Sequence, residues 1–252
     1  MKKNNKTQGL LLTLIVICVI AGLGLLLYPV YQSRIKSRQK ITETIEKFES
    51  QLNEVKETSK IDLNEVENEN QVVGILYVPK INVILPIYDN TSEYALSNGT
   101  GLLREFGRPY GEIGTHPILT SHAGLEDGLF TNLNQLKEGE SFYIKDDRGT
   151  YNKYEVIGTD KVLPTDYSKF TIEPDKSLVT LLTCTSETGF NSHRLLKLGN
   201  KVEFDMEEFE KEMNEIHLTR YEKILLGVFG TIIIIVIGFM IYKKFLRKQG
   251  EN

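Results

Sequence analysis

Two hydrophobic periods divide the chain. Between Arg34 and Thr58, Ile41, Ile45, Phe48, Leu52 and Val55 recur at alternating spacings of four and three, with charged residues between them. That period predicts an amphipathic helix, either packed by one stripe on the rest of the domain or wound into a stalk. A pattern of under about four heptads favours the packed helix. From Val72 the pattern shortens to β-type runs. Val73 to Val78 and Val83 to Tyr88 are separated by Pro79-Lys80. Pro117 to Thr120, Ser141 to Lys145, Tyr154 to Gly158, Lys161 to Leu163, Leu178 to Cys184, Arg194 to Leu198 and Lys201 to Phe204 come after them. Turn formers punctuate the runs at Asn98-Gly99, Glu126-Asp127-Gly128 and Asp146 to Gly149. Short strands with such punctuation predict an all-β barrel or sandwich. One short helix is expected over Thr131 to Leu136, with Thr131 as its N-cap.

The two ends obey neither period. Gly9 to Tyr28 is apolar except for Thr13, and Ile224 to Tyr242 is apolar except for Thr231. Neither stretch carries a charge, and roughly 20 apolar residues suffice to span a bilayer core. Both are expected to be transmembrane helices. The first is longer than the apolar run of a signal peptide and no small-x-small cleavage site comes after it, so it reads as an uncleaved anchor. Lys2, Lys3 and Lys6 before the first span, and Lys243, Lys244, Arg247 and Lys248 after the second, place both termini in the cytoplasm. The middle of the chain is then expected outside the cell membrane.

The resulting organisation has residues 1–8 as a cytoplasmic N-terminus and 9–28 as the first span. Residues 29–71 carry the amphipathic helix and a linker or flap, the latter being Ser59 to Gln71, rich in Glu and Asn. Residues 72–205 form the β domain. Residues 206–223 are an acidic juxtamembrane linker with Met206, Phe209, Met213 and Ile216 at helical spacing, 224–242 the second span and 243–252 a basic cytoplasmic tail.

Charge and cysteine usage narrow the chemistry. The 252 residues carry a formal net charge of -4, which offers no basic face for nucleic acid. The two cysteines are Cys18, inside the first span, and Cys184, in the β domain, so they cannot pair in an aqueous domain. A lone cysteine in an oxidising setting points to an intermolecular disulfide or a reactive thiol.

Ser177 to Gly199 reads as a strand, a polar loop and a second strand. If the two runs pair as a hairpin, Cys184 and Arg194 meet at one end of a sheet. Free cysteine has a pKa of roughly 8.5, so an imidazole is needed to raise its reactivity. His122, in Leu119-Thr120-Ser121-His122-Ala123-Gly124 where a strand runs into a turn, is the best candidate. Arg194 would face a developing oxyanion with a permanent charge and several directed N–H groups. Such a trio suits acyl transfer through a thioester. On spacing alone, a buried structural cysteine and an ordinary hydrogen-bonded histidine describe the same residues. His193 alternates away from Arg194, His116 reads as structural, and His217 lies in the acidic linker. No cluster has metal-ligand spacing, and neither metal nor cofactor is expected.

Thr180-Leu181-Leu182-Thr183-Cys184 resembles the TLxTC signature of sortases, and Leu119 to Gly124 resembles their histidine segment. Asn191-Ser192-His193-Arg194-Leu195-Leu196 is similar to the arginine strand of class C, the pilin-polymerising sortases of Gram-positive bacteria. Ile75 to Tyr88, Thr91-Ser92-Glu93 and Leu129-Phe130-Thr131 extend the likeness, which covers about Val72 to Phe204. The resemblance implies a mainly β fold, a sortase-like closed β-barrel with short helices, preceded by the amphipathic helix and flanked by the two spans. It implies a cysteine transpeptidase that cleaves an LPxTG-like sorting signal. Cys184 would be the nucleophile, His122 the acid/base or ion-pair partner, and Arg194 the oxyanion and substrate ligand. The expected partners are LPxTG-like surface or pilin proteins, an amine acceptor (a pilin lysine or a peptidoglycan precursor) and the lipid bilayer. Anchoring of proteins to peptidoglycan and a non-catalytic scaffold that binds sorting signals are the alternatives.

Three features depart from the class C pattern. Between Tyr31 and Val72 there is no Asp-Pro-aromatic lid motif; Asp62 is followed by Leu63 and Asn64. Ser186-Glu187-Thr188-Gly189 replaces the usual Pro-Tyr-Gly. Ser121 stands where a glycine usually precedes the histidine, and Ala123 where a larger residue usually comes next.

Overall fold

The computed structural model describes residues 39–53, 71–123, 129–185 and 192–214, with the isolated positions 227, 228, 230, 231, 234 and 238. Its frame is a closed barrel of strands in the order β1-β2-β3-β4-β7-β8-β6-β5. These are β1 (Val72–Val78), β2 (Val83–Tyr88), β3 (Thr100–Leu102), β4 (Ile118–Thr120), β5 (Ser141–Asp146), β6 (Tyr151–Val162), β7 (Leu178–Thr185) and β8 (His193–Val202). The β2–β3 and β4–β7 pairs are parallel; the other pairs are antiparallel.

Strand alternation builds the barrel's two surfaces. Leu76 and Val78 of β1 and Phe142 and Ile144 of β5 turn inward, where they meet Leu119, Val179, Leu181 and Leu195. Ile75, Tyr77 and Tyr143 turn outward and are covered by two helices, α1 (residues 39–53) and α3 (Met206–Asn214). The stripe Ile41, Ile45, Phe48 and Leu52 of α1 packs on the barrel, so α1 is the packed helix, not a stalk, over its described length. Phe209 of α3 meets Tyr77 and Tyr143 edge-on, with ring centroids 5.3 and 5.0 Å apart. Lys145 pairs with Glu49 of α1 at 2.9 Å, and Lys153 pairs with Glu208 of α3, so both helices are also tied down by charge. The acidic linker is thus helical over Met206–Asn214.

Several boundaries differ from the sequence expectation. Tyr154 to Gly158 and Lys161 to Leu163 are parts of one strand, β6, with a register shift between Val156 and Gly158 that swaps the faces of the residues beyond it. Arg194 to Leu198 and Lys201 to Phe204 are likewise mostly one strand, β8, ending at Val202. Gly199 does not break it. A Cβ there would come within 2.6 Å of the Phe142 ring, so the glycine lets two strands pack closely. Thr131 caps no α-helix; Asn132 precedes a short 3-10 turn, Leu133–Gln135. The hydrophobic pattern predicts neither the helix α2 (Glu93–Asn98) nor strand β3.

The connection from β3 to β4 is anchored by charge. Asp89, buried at the end of β2, pairs with Arg108 at 2.8 Å and Arg104 at 3.1 Å, and Arg108 also reaches Asp147 at 3.2 Å. A carboxylate this buried needs such partners. Among the described residues no helix is long and apolar enough to cross a membrane. The expected spans lie outside them, save for the isolated helical positions in the second; Ser59 to Gln71 also lies outside, except Gln71.

Lys197 sits on the core-facing side of β8 between Leu195 and Gly199 and is 3 % exposed. Its ammonium donates to Thr159 Oγ1 at 3.0 Å. Burial pushes its pKa below the ordinary lysine value, opposed by Glu138 and Glu140. A lysine whose folded pKa lies below its unfolded value destabilises the fold while charged. The penalty lifts as pH rises from the folded value toward the unfolded one, about 10.4. Lys197→Met is therefore expected to stabilise the protein by about 1 kcal/mol at neutral pH. The gain, measured by denaturant unfolding of both proteins, shrinks between neutral pH and pH ~10.

Candidate active site

Two registers set the site. In the antiparallel β7–β8 pair, Cys184 and Arg194 are directly opposed. In the parallel β4–β7 pair, Ile118, Leu119 and Thr120 face Thr180, Leu181 and Leu182. Carried two residues past the last pair, the same register sets His122 beside Cys184. The extension is held by real bonds: the Ser121 N–H donates to the Leu182 carbonyl at 3.2 Å, and Thr183 Oγ1 donates to the Ser121 carbonyl at 2.7 Å.

Alternation then decides which way the side chains face. Leu119, Leu181 and Leu195 belong to the barrel core. Residues an odd number of positions away on each strand take the opposite face, so His122 and Cys184, three positions on, and Arg194, one position before, share the outer one. Neighbouring strands are about 4.8 Å apart, so the three residues form a row with the cysteine in the middle. Cys184 is a free thiol and half-buried, as is Arg194. The His122 side chain is 39 % exposed. All three are within reach of a substrate lying across the strands. Arg194 Nη1 donates to the His193 carbonyl at 3.3 Å.

Three neighbours bond around the row: Ser121, Phe130 and Glu93. Ser121, the residue that replaces the usual glycine, is buried and donates through Oγ to the Gly99 carbonyl at 2.6 Å, fastening the end of β4 to the residue before β3. The Phe130 N–H donates to the His122 carbonyl at 3.0 Å, fixing the backbone on the other side. His122 Nε2 lies 3.1 Å from Glu93 Oε1, and this hydrogen bond holds the Glu93 carboxyl below the usual carboxylate range. Sequence reasoning assigns Glu93 no role. The local signal is the quoted segment Thr91-Ser92-Glu93, in which Ser92 is an N-cap that accepts the Ala95 N–H at 3.3 Å and places Glu93 first in α2.

His116 and His193 bond elsewhere. His116 is fully buried, with Nδ1 2.7 Å from the Thr171 carbonyl and Nε2 2.8 Å from Thr180 Oγ1. The carbonyl can only accept, so Nδ1 carries the proton and Nε2 accepts from the threonine hydroxyl. Burial lowers its pKa and favours that neutral form. His116 therefore clips the β6–β7 connection onto β7, on the face that carries Cys184. His193 Nδ1 is 3.0 Å from Ser192 Oγ, and His217 lies outside the described residues. Among the described residues no group of His, Cys, Asp or Glu could hold a metal ion.

The β6–β7 connection exposes Leu163, Tyr167 and Ile172, and its Phe170 packs edge-on against Phe106 at 5.7 Å. The replaced loop, Ser186 to Gly189, is outside the described residues.

Comparison with known proteins matches the Sortase domain family over residues 76–202. Sortase A of Bacillus anthracis is 26% identical over 208 residues, covering 79% of this chain and 97% of that protein. The structure of a lid mutant of sortase A from Corynebacterium diphtheriae superposes with a TM-score of 0.54 at 38% identity, over 59% of this chain and 79% of that one. Sortase C1 from Streptococcus suis gives 0.52 at 38% identity, over 55% and 77%.

Proposed function

Because the chain belongs to the sortase family, whose members are cysteine transpeptidases, we propose that Cys184 is its nucleophile, with His122 and Arg194 completing the site. The observation that carries this is the row His122–Cys184–Arg194 across β4, β7 and β8. The Cys184 sulfur, as thiolate, attacks the threonine carbonyl of an LPxTG-like sorting signal. The carbonyl oxygen becomes an oxyanion that the Arg194 guanidinium receives. As the threonine–glycine bond breaks, protonated His122 gives its proton to the departing glycine nitrogen, and a thioester to Cys184 remains. An amine then attacks the thioester, neutral His122 takes the amine's proton, and the thiolate leaves. The exposed apolar side chains of the β6–β7 connection suit the leucine and proline of the signal.

In this reading the enzyme is of class C type and joins pilin subunits through a lysine amine. The Asn191-Ser192-His193-Arg194-Leu195-Leu196 segment and the second apolar stretch support it. The barrel sits outside the cell membrane, held by both apolar stretches with the basic termini inside. The helical positions Val228 and Ile234 in the second stretch are apolar and exposed, as a lipid-facing helix requires. Attachment of surface proteins to peptidoglycan is the second reading, favoured by the missing Asp-Pro-aromatic motif before the barrel.

The acceptor separates them. Full-length enzyme in detergent, given an LPxTG peptide together with a pilin-type lysine peptide and a peptidoglycan-type stem amine, is expected to ligate the signal to the lysine. Ligation to the stem amine alone would overturn the class C assignment and leave the chemistry in place. Hydrolysis that no amine diverts would overturn transpeptidation itself.

A further inference from the structure

We propose that Glu93 is a positioning residue for the proposed reaction. It holds the His122 ring in one orientation and one tautomer, so that Nδ1 is the nitrogen that exchanges protons. The inference rests on the proposed role of His122 as proton donor and acceptor.

An imidazole has two nitrogens, and the neutral form carries one proton. His122 Nε2 lies 3.1 Å from Glu93 Oε1. An ionised carboxylate only accepts, so Nε2 carries the proton and Nδ1 the lone pair. When His122 gains a second proton, the same carboxylate faces the new charge. A carboxylate behind an imidazole, in front of a nucleophile, is a recurring way to fix tautomer and aim.

Glu93 is itself held. Its Oε1 also accepts from Ser97 Oγ at 3.0 Å, one helical turn on. Ser92 caps the helix that begins with Glu93. The next residue, Tyr94, packs edge-on against the buried Tyr88 at 5.7 Å, and the Lys40 ammonium of α1 lies 4.8 Å above its ring. A short helix of about one and a half turns is thus fastened by its cap, by an aromatic contact and by α1. Its first carboxylate points at the histidine that two backbone bonds and the β4–β7 register set beside Cys184. The Glu93 side chain is 81 % exposed and that of His122 39 %. A pair so open to water adds little to stability. Orientation is a different matter, since small misplacements of a reacting group cost rate steeply.

The test compares Glu93→Ala, Glu93→Gln and His122→Ala with the wild type, as full-length protein in detergent, by steady-state cleavage of an LPxTG peptide. Glu93→Ala is expected to lower kcat about tenfold with KM nearly unchanged. Glu93→Gln should recover most of the loss, because its amide oxygen still accepts the Nε2 proton. Imidazole 15N spectra should show His122 protonated at Nε2 in the wild type and as a mixture of tautomers in Glu93→Ala, with the melting temperature unmoved. A wild-type kcat in Glu93→Ala beside an inactive His122→Ala would overturn the inference alone. So would equal loss in Glu93→Ala and Glu93→Gln. An active His122→Ala would instead remove the reading of the site on which the inference rests.

Discussion

Cys184→Ala is expected to abolish both cleavage of an LPxTG peptide and transfer, a loss of at least about 10^4-fold. The expectation comes from covalent chemistry: without sulfur there is no thioester, and no other thiol is present among the described residues to supply one. The fold is unaffected, because Cys184 is half-buried at the end of β7 and its sulfur is not part of the barrel core. Cys184→Ser should recover little, since a serine hydroxyl is far less ionised than a thiol beside the same imidazole. The measurement is peptide cleavage by chromatography, with binding of the uncleaved peptide monitored in parallel. A Cys184→Ala protein that kept full assembly activity would instead favour a scaffold that binds sorting signals without cutting them.

Arg194→Ala is expected to give the second large effect, with kcat falling about 10^2- to 10^3-fold. Arg194 is the direct cross-strand partner of Cys184, so in the proposed mechanism its guanidinium would start from the backbone position next to the attacked carbonyl. In the proposed mechanism, removing it would leave the oxyanion with one fewer directed donor. Arg194→Lys should restore only part of the rate, since an ammonium keeps the charge but loses the planar fork. Peptide turnover with kcat and KM separated is the check; a KM change alone would mean that Arg194 binds the signal and does nothing for the transition state.

Much of this site is legible in the chain because its central pair is local. Cys184 and Arg194 belong to one hairpin, and β-type runs on either side of a polar loop are enough to oppose them. His122 comes from a strand far away in sequence, and its place beside Cys184 depends on a parallel register that no local pattern encodes. Its position at a strand end is the signal that points to it. Glu93 has no such signal: its contact with His122 bridges 29 positions, and α2 is too short to show a helical period.

The fold divides in the same way. Strands with a clear apolar run, such as β1, β2 and β7, stand where the pattern places them. The pattern splits β6 and β8 in two, because glycine and polar residues mimic turns. Gly158 sits where the register shifts, and Gly199 sits where Phe142 leaves no room for a side chain. β3, Thr100–Leu102, lies directly after Asn98-Gly99, whose turn signal reports only the end of α2.

The intact mass of the full-length enzyme after incubation with an LPxTG peptide tests the proposed acyl-enzyme. A thioester at Cys184 gives a mass increase equal to the peptide fragment ending at threonine, released by hydroxylamine and absent from Cys184→Ala. An enzyme that cleaves the peptide without ever carrying that fragment, or that carries it equally in Cys184→Ala, would contradict it.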